Sequence, residues 1–361
     1  MSGKRLPKYD WVRGIAIIFV VMVHCLPPYE ARLAGSISCR SYTTLFQSLF
    51  FTCNAIFFML SGRLNMRVLQ EGEWRSYYGK KVRGILLPTL VFLLIYTVRD
   101  LFPAFVSPGF FLKTLALNSL GAMSHGIFWF AFKLFGMVLV APFLAPALTQ
   151  SSRELRRAFF LLCALWTASC FISANTGIEF GWQFPIKDHF AFFCIGALIE
   201  DSRLNSLSNK QLLLLAFFSA LANGVIAYFG WSSGAFDISP LYAIAALCLY
   251  LLFQRLDIKG GSAVDVVLAF LSKHSFGIYL MHWFVYEMVQ PRLAFLAAVW
   301  GPLYQLCLTP LVLVLGVAAA VLVDETLVKA AQGLFDRIQR RTSRFLDARY
   351  SYANTANDKD R

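Results

Sequence analysis

A histidine, an arginine and an aspartate share one hydrophobic stretch near the start of the chain. The stretch DWVRGIAIIFVVMVH, from Asp10 to His24, predicts a helix. Arg13 and His24 are eleven positions apart, which at about 3.6 residues per turn places both side chains on one face, about 16 Å apart along the axis. Asp10 lies one turn before Arg13 and can pair with it. A neutral imidazole can take a proton from a hydroxyl, so His24 is a candidate general base; the simpler interpretation is a histidine in a helix packing contact.

A second apolar stretch, FLSKHSFGIYLMHWFVYE, also contains histidines. His282 falls in its middle and Glu287 nearer one end, so His282 is as good a candidate as His24 on physical grounds alone. His274 is predicted to lie in a loop region, in contact with solvent. Two histidines inside a membrane could indicate a proton relay or a metal, but no third ligand at a suitable spacing supports a metal. No metal site is therefore predicted.

A basic segment, residues 63–83, follows a small residue pair. Ser61 and Gly62 permit either close approach of two helices or approach of backbone to a ligand. Lys80 and Arg83 are one turn apart and could bind the phosphates of a nucleotide-like donor. The simpler interpretation of the basic cluster is contact with anionic lipid.

Further polar candidates lie in two other apolar runs. In HGIFWFAFKLFG, Trp129 is placed near a membrane interface, and Lys133 lies deeper. Lys133 could reach outward to water or hold a carboxylate or phosphate. Asp188 and His189 open a later run, where they could contact an acceptor or form a solvated helix end.

The composition indicates a membrane protein. Of 361 residues, 58% are hydrophobic and 15% are charged, with a mean hydropathy of +0.60, whereas about a quarter of the residues in a soluble domain are charged. The net charge of +13 would suggest nucleic acid in a soluble protein. Here the basic residues collect between apolar runs, so membrane lipids, and no nucleic acid, are the predicted partners.

Ten apolar runs are long enough, or nearly so, to cross a bilayer. If the N-terminus is cytoplasmic, the inside segments hold 26 of the 33 Lys and Arg residues and the outside segments hold 6, so both termini are predicted to be cytoplasmic. Residues 1–323 are predicted to form one all-α bundle of about ten transmembrane helices, and residues 324–361 a basic amphipathic tail on the inner leaflet. The ten runs are 11–27, 44–62, 84–102, 127–148, 157–174, 188–200, 211–230, 239–254, 266–289 and 294–322.

Six pieces of the sequence, in this order and at this spacing, resemble the acyltransferase-3 family of bacterial integral-membrane O-acyltransferases. The resemblance extends along nearly the whole chain. The pieces are YDWVRGIAIIFVVMVH, FFMLSGRL, YYGKKVRGILLP, IFWFAFKLFGMVLVAPFL, FAFFCIGALI and FLSKHSFGIYLMHWF.

The resemblance implies a multi-pass protein of the bacterial inner membrane that transfers an acyl group, most often acetyl. The donor would be cytoplasmic acetyl-CoA or another acyl-CoA, with no bound cofactor. The acceptor would be a hydroxyl of a surface polysaccharide or lipid-linked sugar, reached directly or through a separate extracytoplasmic acyl-relay partner.

The resemblance also implies roles for single residues. His24 corresponds to an essential histidine, acting as general base or as transient acyl carrier, while Arg13, held by Asp10, would orient the donor or steady negative charge. Lys80 occupies a position that is usually arginine in the family. The donor-binding positions correspond to Lys80, Arg83, Ser61 and Gly62, and further family positions to Trp129 and His282.

A second class of function fits the same residues. A non-enzymatic carrier could flip a lipid-linked sugar or export a small metabolite along a path of intramembrane polar groups. Such carriers are often built from inverted repeats and broken helices, and neither is evident in the sequence. The acceptor, the acyl group, the oligomeric state and the role of His282 stay open at this stage.

Overall fold

A computed structural model describes residues 6–27, 37–102, 106–119, 126–180, 188–231 and 239–342. Within these ranges all regular structure is helical, as predicted. The α-helices are α1 Pro7–His24, α2 Ile37–Phe50, α3 Thr52–Asn65, α4 Trp74–Lys81, α5 Leu87–Leu101, α6 Pro108–Ser119, α7 Trp129–Thr149, α8 Arg153–Thr176, α9 Asp188–Leu198, α10 Asn209–Tyr228, α11 Pro240–Gln254, α12 Ala263–Val299 and α13 Gly301–Val323. Short 3₁₀ turns occupy Gly126–Phe128, Ile199–Asp201 and Arg203–Ser206, and π-helical turns occupy Val82–Leu86 and Asp324–Val328.

Serine residues mark where several of these helices begin. The side chains of Ser152, Ser208, Ser239 and Ser262 each accept a hydrogen bond from a backbone N–H in the first turn of α8, α10, α11 and α12. Such caps satisfy N–H groups that have no partner within the helix. The helix starts are therefore fixed by local chemistry, and the long apolar runs after them determine how the helices pack.

Seven helical segments in the described ranges are long and apolar enough to cross a membrane. Each predicted run overlaps one or two helices, but α9 and α11 are shorter than the seven, and the 18 residues of α1 include three charged side chains. The number of ten crossings therefore stays a prediction, as does the orientation of the termini. The seven segments are Arg40–Asn65, Trp74–Leu101, Gly126–Thr149, Arg153–Thr176, Asn209–Tyr228, Ala263–Val299 and Gly301–Thr342.

The last two helices are longer than the apolar runs indicate. Helix α12 continues without a break through Pro291, which helices in membranes tolerate because neighbouring groups compensate for the lost backbone hydrogen bond. After α13 the chain stays helical through the turn at Asp324–Val328 and on to Thr342. The predicted boundary at residue 323 thus falls inside one continuous helix, and the position of the tail on the membrane surface remains a prediction.

Helix α1 lies at the centre of the bundle. It packs against α12 and α3, and also contacts α2, α11 and α13. Val12, Ala16 and Ile17 are fully buried. Near one end of α1, the Trp11 Nε1–H donates to Asp265 Oδ1 of α12 at 2.8 Å. The ionisable face of α1 is therefore turned toward other helices.

Helices α3 and α9 are in backbone contact through two glycines. A Cβ atom on Gly62 would come within 1.7 Å of the Phe193 carbonyl oxygen, and one on Gly196 within 2.0 Å of the Met59 carbonyl oxygen. No side chain fits at either position without moving the helices apart. The small pair at the end of α3 thus serves close packing through its glycine, which is one of the two interpretations that the sequence allowed.

His274 is buried, and the prediction of a solvated loop position is wrong. Its side chain is 4% exposed, and its Nδ1 lies 3.1 Å from Asp324 Oδ2. Helix α12 begins at Ala263, so His274 lies three turns inside it rather than before it. The pair joins α12 to the π-helical turn that follows α13.

Candidate active site

A cavity of about 280 Å³ lies between α1, α3, α7, α12 and the segment around α4. Its polar lining includes several cations, among them Arg13, Lys80, Lys81 and Lys273, and the rest of the lining is mostly apolar. Three of the predicted site residues, Arg13, Ser61 and Lys80, meet here. The full lining is Arg13, Phe57, Ser61, Leu64, Asn65, Lys80, Lys81, Gly84, Ile85, Phe130, Leu134, Ser272, Lys273, Ser275, Phe276 and Tyr279.

Arg13 is held at this cavity by α12 and by its own helix. Its guanidinium lies 3.5 Å from the Ser272 hydroxyl, and that hydroxyl donates to Asp10 Oδ1 at 2.7 Å. Asp10 also interacts electrostatically with Arg13. The Ser272 hydroxyl therefore bridges Arg13 and Asp10, and the direct pairing of Asp10 with Arg13 stays a prediction. The sequence offered a signal for this serine, since it belongs to the polar start of the quoted α12 stretch.

The two lysines of the basic segment face the cavity. The Lys81 ammonium donates to Asn65 Oδ1 and lies 4.9 Å from the centre of the Tyr77 ring. Arg83 is outside the lining; its guanidinium pairs with Asp336 at 3.4 Å. The structure thus brings Lys80 and Lys81 together at the cavity, whereas the spacing had paired Lys80 with Arg83.

The other end of α1 places two histidines side by side. The ring centres of His24 and His282 are 5.1 Å apart, with an angle of 37° between the rings. Helices α1 and α12 run parallel, so the same pair of helices that holds Arg13 near Ser272 also brings these rings together. His24 is half-buried, and His282 is fully buried.

Backbone contacts fix the tautomer of neutral His282. Its Nδ1 is 2.6 Å from the Tyr279 carbonyl oxygen and 3.2 Å from that of Ile278. Carbonyl oxygens only accept hydrogen bonds, so Nδ1 must carry the proton and Nε2 is left with a lone pair. In the described part of the chain, the buried Nε2 has no hydrogen-bond partner. His282 can therefore accept a proton or a hydrogen bond beside His24.

Tyr279 connects the cavity to the histidines. It lines the cavity, and its ring is 4.9 Å from that of Phe130 and 5.8 Å from that of His282. Its hydroxyl donates to the Ile127 carbonyl oxygen. Among the α12 residues of the lining it lies closest along the helix to His282. Sequence reasoning did not single out this tyrosine, although it stands three residues before a candidate histidine.

Beyond the histidines, α12 carries an aromatic and a carboxylate. The Trp283 ring lies 5.3 Å from His24, and its Nε1–H donates to Glu287 Oε1 at 2.8 Å. Glu287 also pairs with Arg99 of α5. The predicted candidate Glu287 is thus joined to His24 through one side chain.

Trp129 and Lys133 form a separate cluster. The Lys133 ammonium lies 3.3 Å from His189 Nδ1 and 5.3 Å from the centre of the Trp129 ring. The rings of Trp129 and His189 are 5.0 Å apart. His189 is buried, so the solvated helix end that the sequence allowed is wrong for this side chain. The reason is that α9 packs closely against α3, whose Phe58 contacts His189.

The arrangement offers cations at one end and a base at the other. Cations around a mostly apolar cavity suit a ligand with phosphates and a narrow arm. At about 280 Å³ the cavity is slightly smaller than the usual small-molecule site of about 300–1,000 Å³, which fits an arm rather than a whole nucleotide. In the ranges that the structure describes, no three His, Cys, Asp or Glu side chains are grouped as metal ligands.

Comparisons with known proteins give a family and one distant relative. The family model described as "Acyltransferase domain" matches residues 6–323. Nodulation protein NolL of Sinorhizobium fredii is 23% identical over 240 residues, which are 65% of this chain and 60% of that protein. No solved structure matches the chain.

Proposed function

Since this chain belongs to the acyltransferase-3 family, we propose that it is an O-acyltransferase that moves an acyl group from acyl-CoA to a hydroxyl of a glycan or lipid-linked sugar. The family and the apolar helices make it a multi-pass membrane acyltransferase. The observation that supports the finer proposal is the row of contacts along α1 and α12, in which Tyr279 lines the cationic cavity and lies against His282, and His282 lies against His24.

Acetyl-CoA is the donor that we propose first. Lys80 and Lys81 would bind its phosphates as point charges, because a lysine such as Lys80 cannot form the bidentate hydrogen bonds that an arginine would make. The thioester arm would enter between Arg13 and Ser61, with Arg13 orienting the donor, and the arm would carry the thioester carbonyl about 16 Å further along α1 to His24. The basic side of the cavity faces the cytoplasm in the predicted orientation, where acyl-CoA is available.

His24 would act on the acceptor hydroxyl. Its free ring nitrogen takes the hydroxyl proton while the oxygen attacks the thioester carbonyl carbon. The carbon–sulfur bond then breaks, and the sulfur leaves with the proton returned by His24, so the products are an ester and free CoA thiol. The reaction also balances if His24 carries the acyl group for a time. The imidazole then takes the acyl group as the CoA thiol leaves, and passes it to the acceptor hydroxyl, rather than to water, in a second step.

The acceptor would approach from the side of Trp283 and Glu287. Aromatic faces and hydrogen-bonding carboxylates are suited to sugars, because a sugar ring has apolar C–H faces and hydroxyl edges. Trp283 contacts His24 directly. A sugar held on this side would present its hydroxyl at the histidine pair.

The test is a transfer assay with the purified protein in lipid vesicles. Radiolabelled acetyl-CoA is supplied on the side of the basic segment, and CoA thiol release and label in the glycolipid fraction are both measured. Thiol release matched by label in glycolipid supports the proposal. Label that stays on the protein, and that is lost in His24→Ala, identifies the route in which His24 carries the acyl group. Absence of label in the acceptor with any acyl-CoA contradicts the proposal, and a non-enzymatic transporter of a sugar or metabolite then becomes the better account.

A further inference from the structure

Helix α8 stands at the edge of the bundle and leaves a groove beside it. Only 11% of the residues in its apolar stretch are buried, the smallest share among the seven candidate spans. Between α8, α9 and α11 lies an apolar cavity of about 160 Å³. Its lining is Phe160, Cys163, Ala164, Trp166, Thr167, Cys170, Ala191, Phe192, Ile195, Pro240, Ala243, Ile244 and Leu247.

A basic cavity adjoins the groove at the start of α8. Its volume is about 620 Å³, and four of its eight lining residues are arginines. Phe160 lines both cavities, so the basic cavity and the groove meet at this side chain. The lining is Arg153, Arg156, Arg157, Phe160, Leu198, Ser202, Arg203 and Leu204.

The positive charge of the basic cavity favours binding of an anion. Four guanidinium groups from two elements converge there, and the positive end of the α8 dipole lies at the same place. Glu154, the acidic residue in the first turn of α8, is exposed and is not part of the lining. A guanidinium group can bind a phosphate through two parallel N–H···O hydrogen bonds.

We propose that this composite site binds an anionic phospholipid of the surrounding bilayer, with its phosphate among Arg153, Arg157 and Arg203 and one acyl chain along α8. Each half of the site matches one half of such a lipid: the cations match the phosphate, and the apolar groove matches the chain. The site is separate from the cavity at Arg13, since the two have no lining residue in common. The bound lipid would cover a side of α8 that the protein leaves open.

Native mass spectrometry of the purified full chain tests the proposal. The probes are phosphatidylglycerol, the zwitterionic phosphatidylcholine, and soluble glycerol 3-phosphate. We expect phosphatidylglycerol to bind most tightly. The double variant Arg157→Gln/Arg203→Gln should weaken this binding about thirtyfold, the effect of two basic groups beside an anionic headgroup.

Two further variants distinguish loss of this binding site from loss of general electrostatic attraction to the lipid and from misfolding of the protein. Arg75→Gln/Arg340→Gln removes two exposed arginines elsewhere and should leave phosphatidylglycerol binding within about twofold, since neither residue lines the site. Ala164→Trp fills the groove from an exposed position of α8 and should weaken phospholipid binding at an unchanged unfolding temperature.

Three results would overturn the proposal. Equal binding of phosphatidylcholine would exclude recognition of the anionic headgroup, and equal loss in both double variants would exclude this site. Binding of glycerol 3-phosphate as tight as that of the lipid, unaffected by Ala164→Trp, would mean that a soluble phosphate compound occupies the basic cavity.

Discussion

The two neighbouring imidazoles differ in the freedom of their nitrogens. His282 is fully buried, and its Nδ1 is committed to the Tyr279 carbonyl oxygen. His24 is half-buried and lies between His282 and Trp283. In the proposed mechanism His24 therefore handles the substrate proton, and His282 orients it or shares that proton.

Replacement of each histidine should separate these roles. A general base contributes about 10²–10⁴-fold to turnover, so we expect His24→Ala to lose that factor in the rate of acyl transfer. His282→Phe keeps an aromatic ring but removes Nε2, and it should lower kcat about tenfold or more, which corresponds to at least about 1.4 kcal/mol in the transition state. The measurement is kcat and KM in vesicles. An unchanged kcat in His282→Phe would show that this histidine only fills space.

The lysines and the arginine of the basic segment should behave differently. A hydrogen bond to a charged group contributes about 1.5–3 kcal/mol, so Lys80→Met or Lys81→Met should raise the KM for acyl-CoA about tenfold or more. Arg83→Met is the matched control, because Arg83 pairs with Asp336 away from the cavity. If Arg83→Met raised KM as much as the lysine variants, the cavity would be the wrong place for the donor phosphates.

At the scale of helices, two backbones in contact hold the site together. Gly62 and Gly196 bring α3 and α9 closer than any side chain would permit. Ser61 lines the cavity beside Gly62, and His189 on α9 contacts Phe58 of α3. Close packing of these two helices therefore positions side chains on both of them.

Glycine substitutions test this packing. Gly196→Ala should destabilise the protein by about 1–3 kcal/mol, the usual cost of forcing an extra group into a well-packed interior. Gly136→Ala is the control, since nothing lies within 4 Å of its added Cβ and alanine is the better helix former by about 1 kcal/mol. Thermal unfolding in detergent measures both. Equal unfolding temperatures for the two variants would contradict the observed contact between α3 and α9.

The sequence predicts helices well where their apolar runs are long. It predicts them less well where contacts between distant parts of the chain determine where a helix begins and ends. Every predicted run overlaps a helix, but α6 was not among the runs, and the gap between the runs 266–289 and 294–322 does not match the break between α12 and α13, which falls at Trp300. Spacing placed Arg13 and His24 on one face. It could not reveal that α12 supplies Ser272 and His282 to that face, because contacts between distant helices leave no local pattern.

At the scale of the whole molecule, the predicted orientation can be tested with single cysteines. Gln70 and Ser151 lie between helices on the predicted inner side, and Ser107 lies just before α6 on the predicted outer side. We expect Gln70→Cys and Ser151→Cys to react with a membrane-impermeant maleimide only in inverted vesicles, and Ser107→Cys in intact cells. The parent protein gives the background labelling. Reaction of Gln70→Cys and Ser107→Cys from the same side would contradict a membrane-spanning segment between them.

One measurement tests the central claim most directly. Surface glycans and lipid-linked sugars are compared by mass spectrometry from cells that contain the intact protein and cells that contain His24→Ala at matched membrane levels. With the intact protein we predict an added acyl mass, which is about 42 Da when an acetyl group replaces the hydrogen of one hydroxyl. With His24→Ala we predict that this added mass is absent. An acyl mark that persists in His24→Ala would contradict the assignment of this histidine as the group that carries out the transfer.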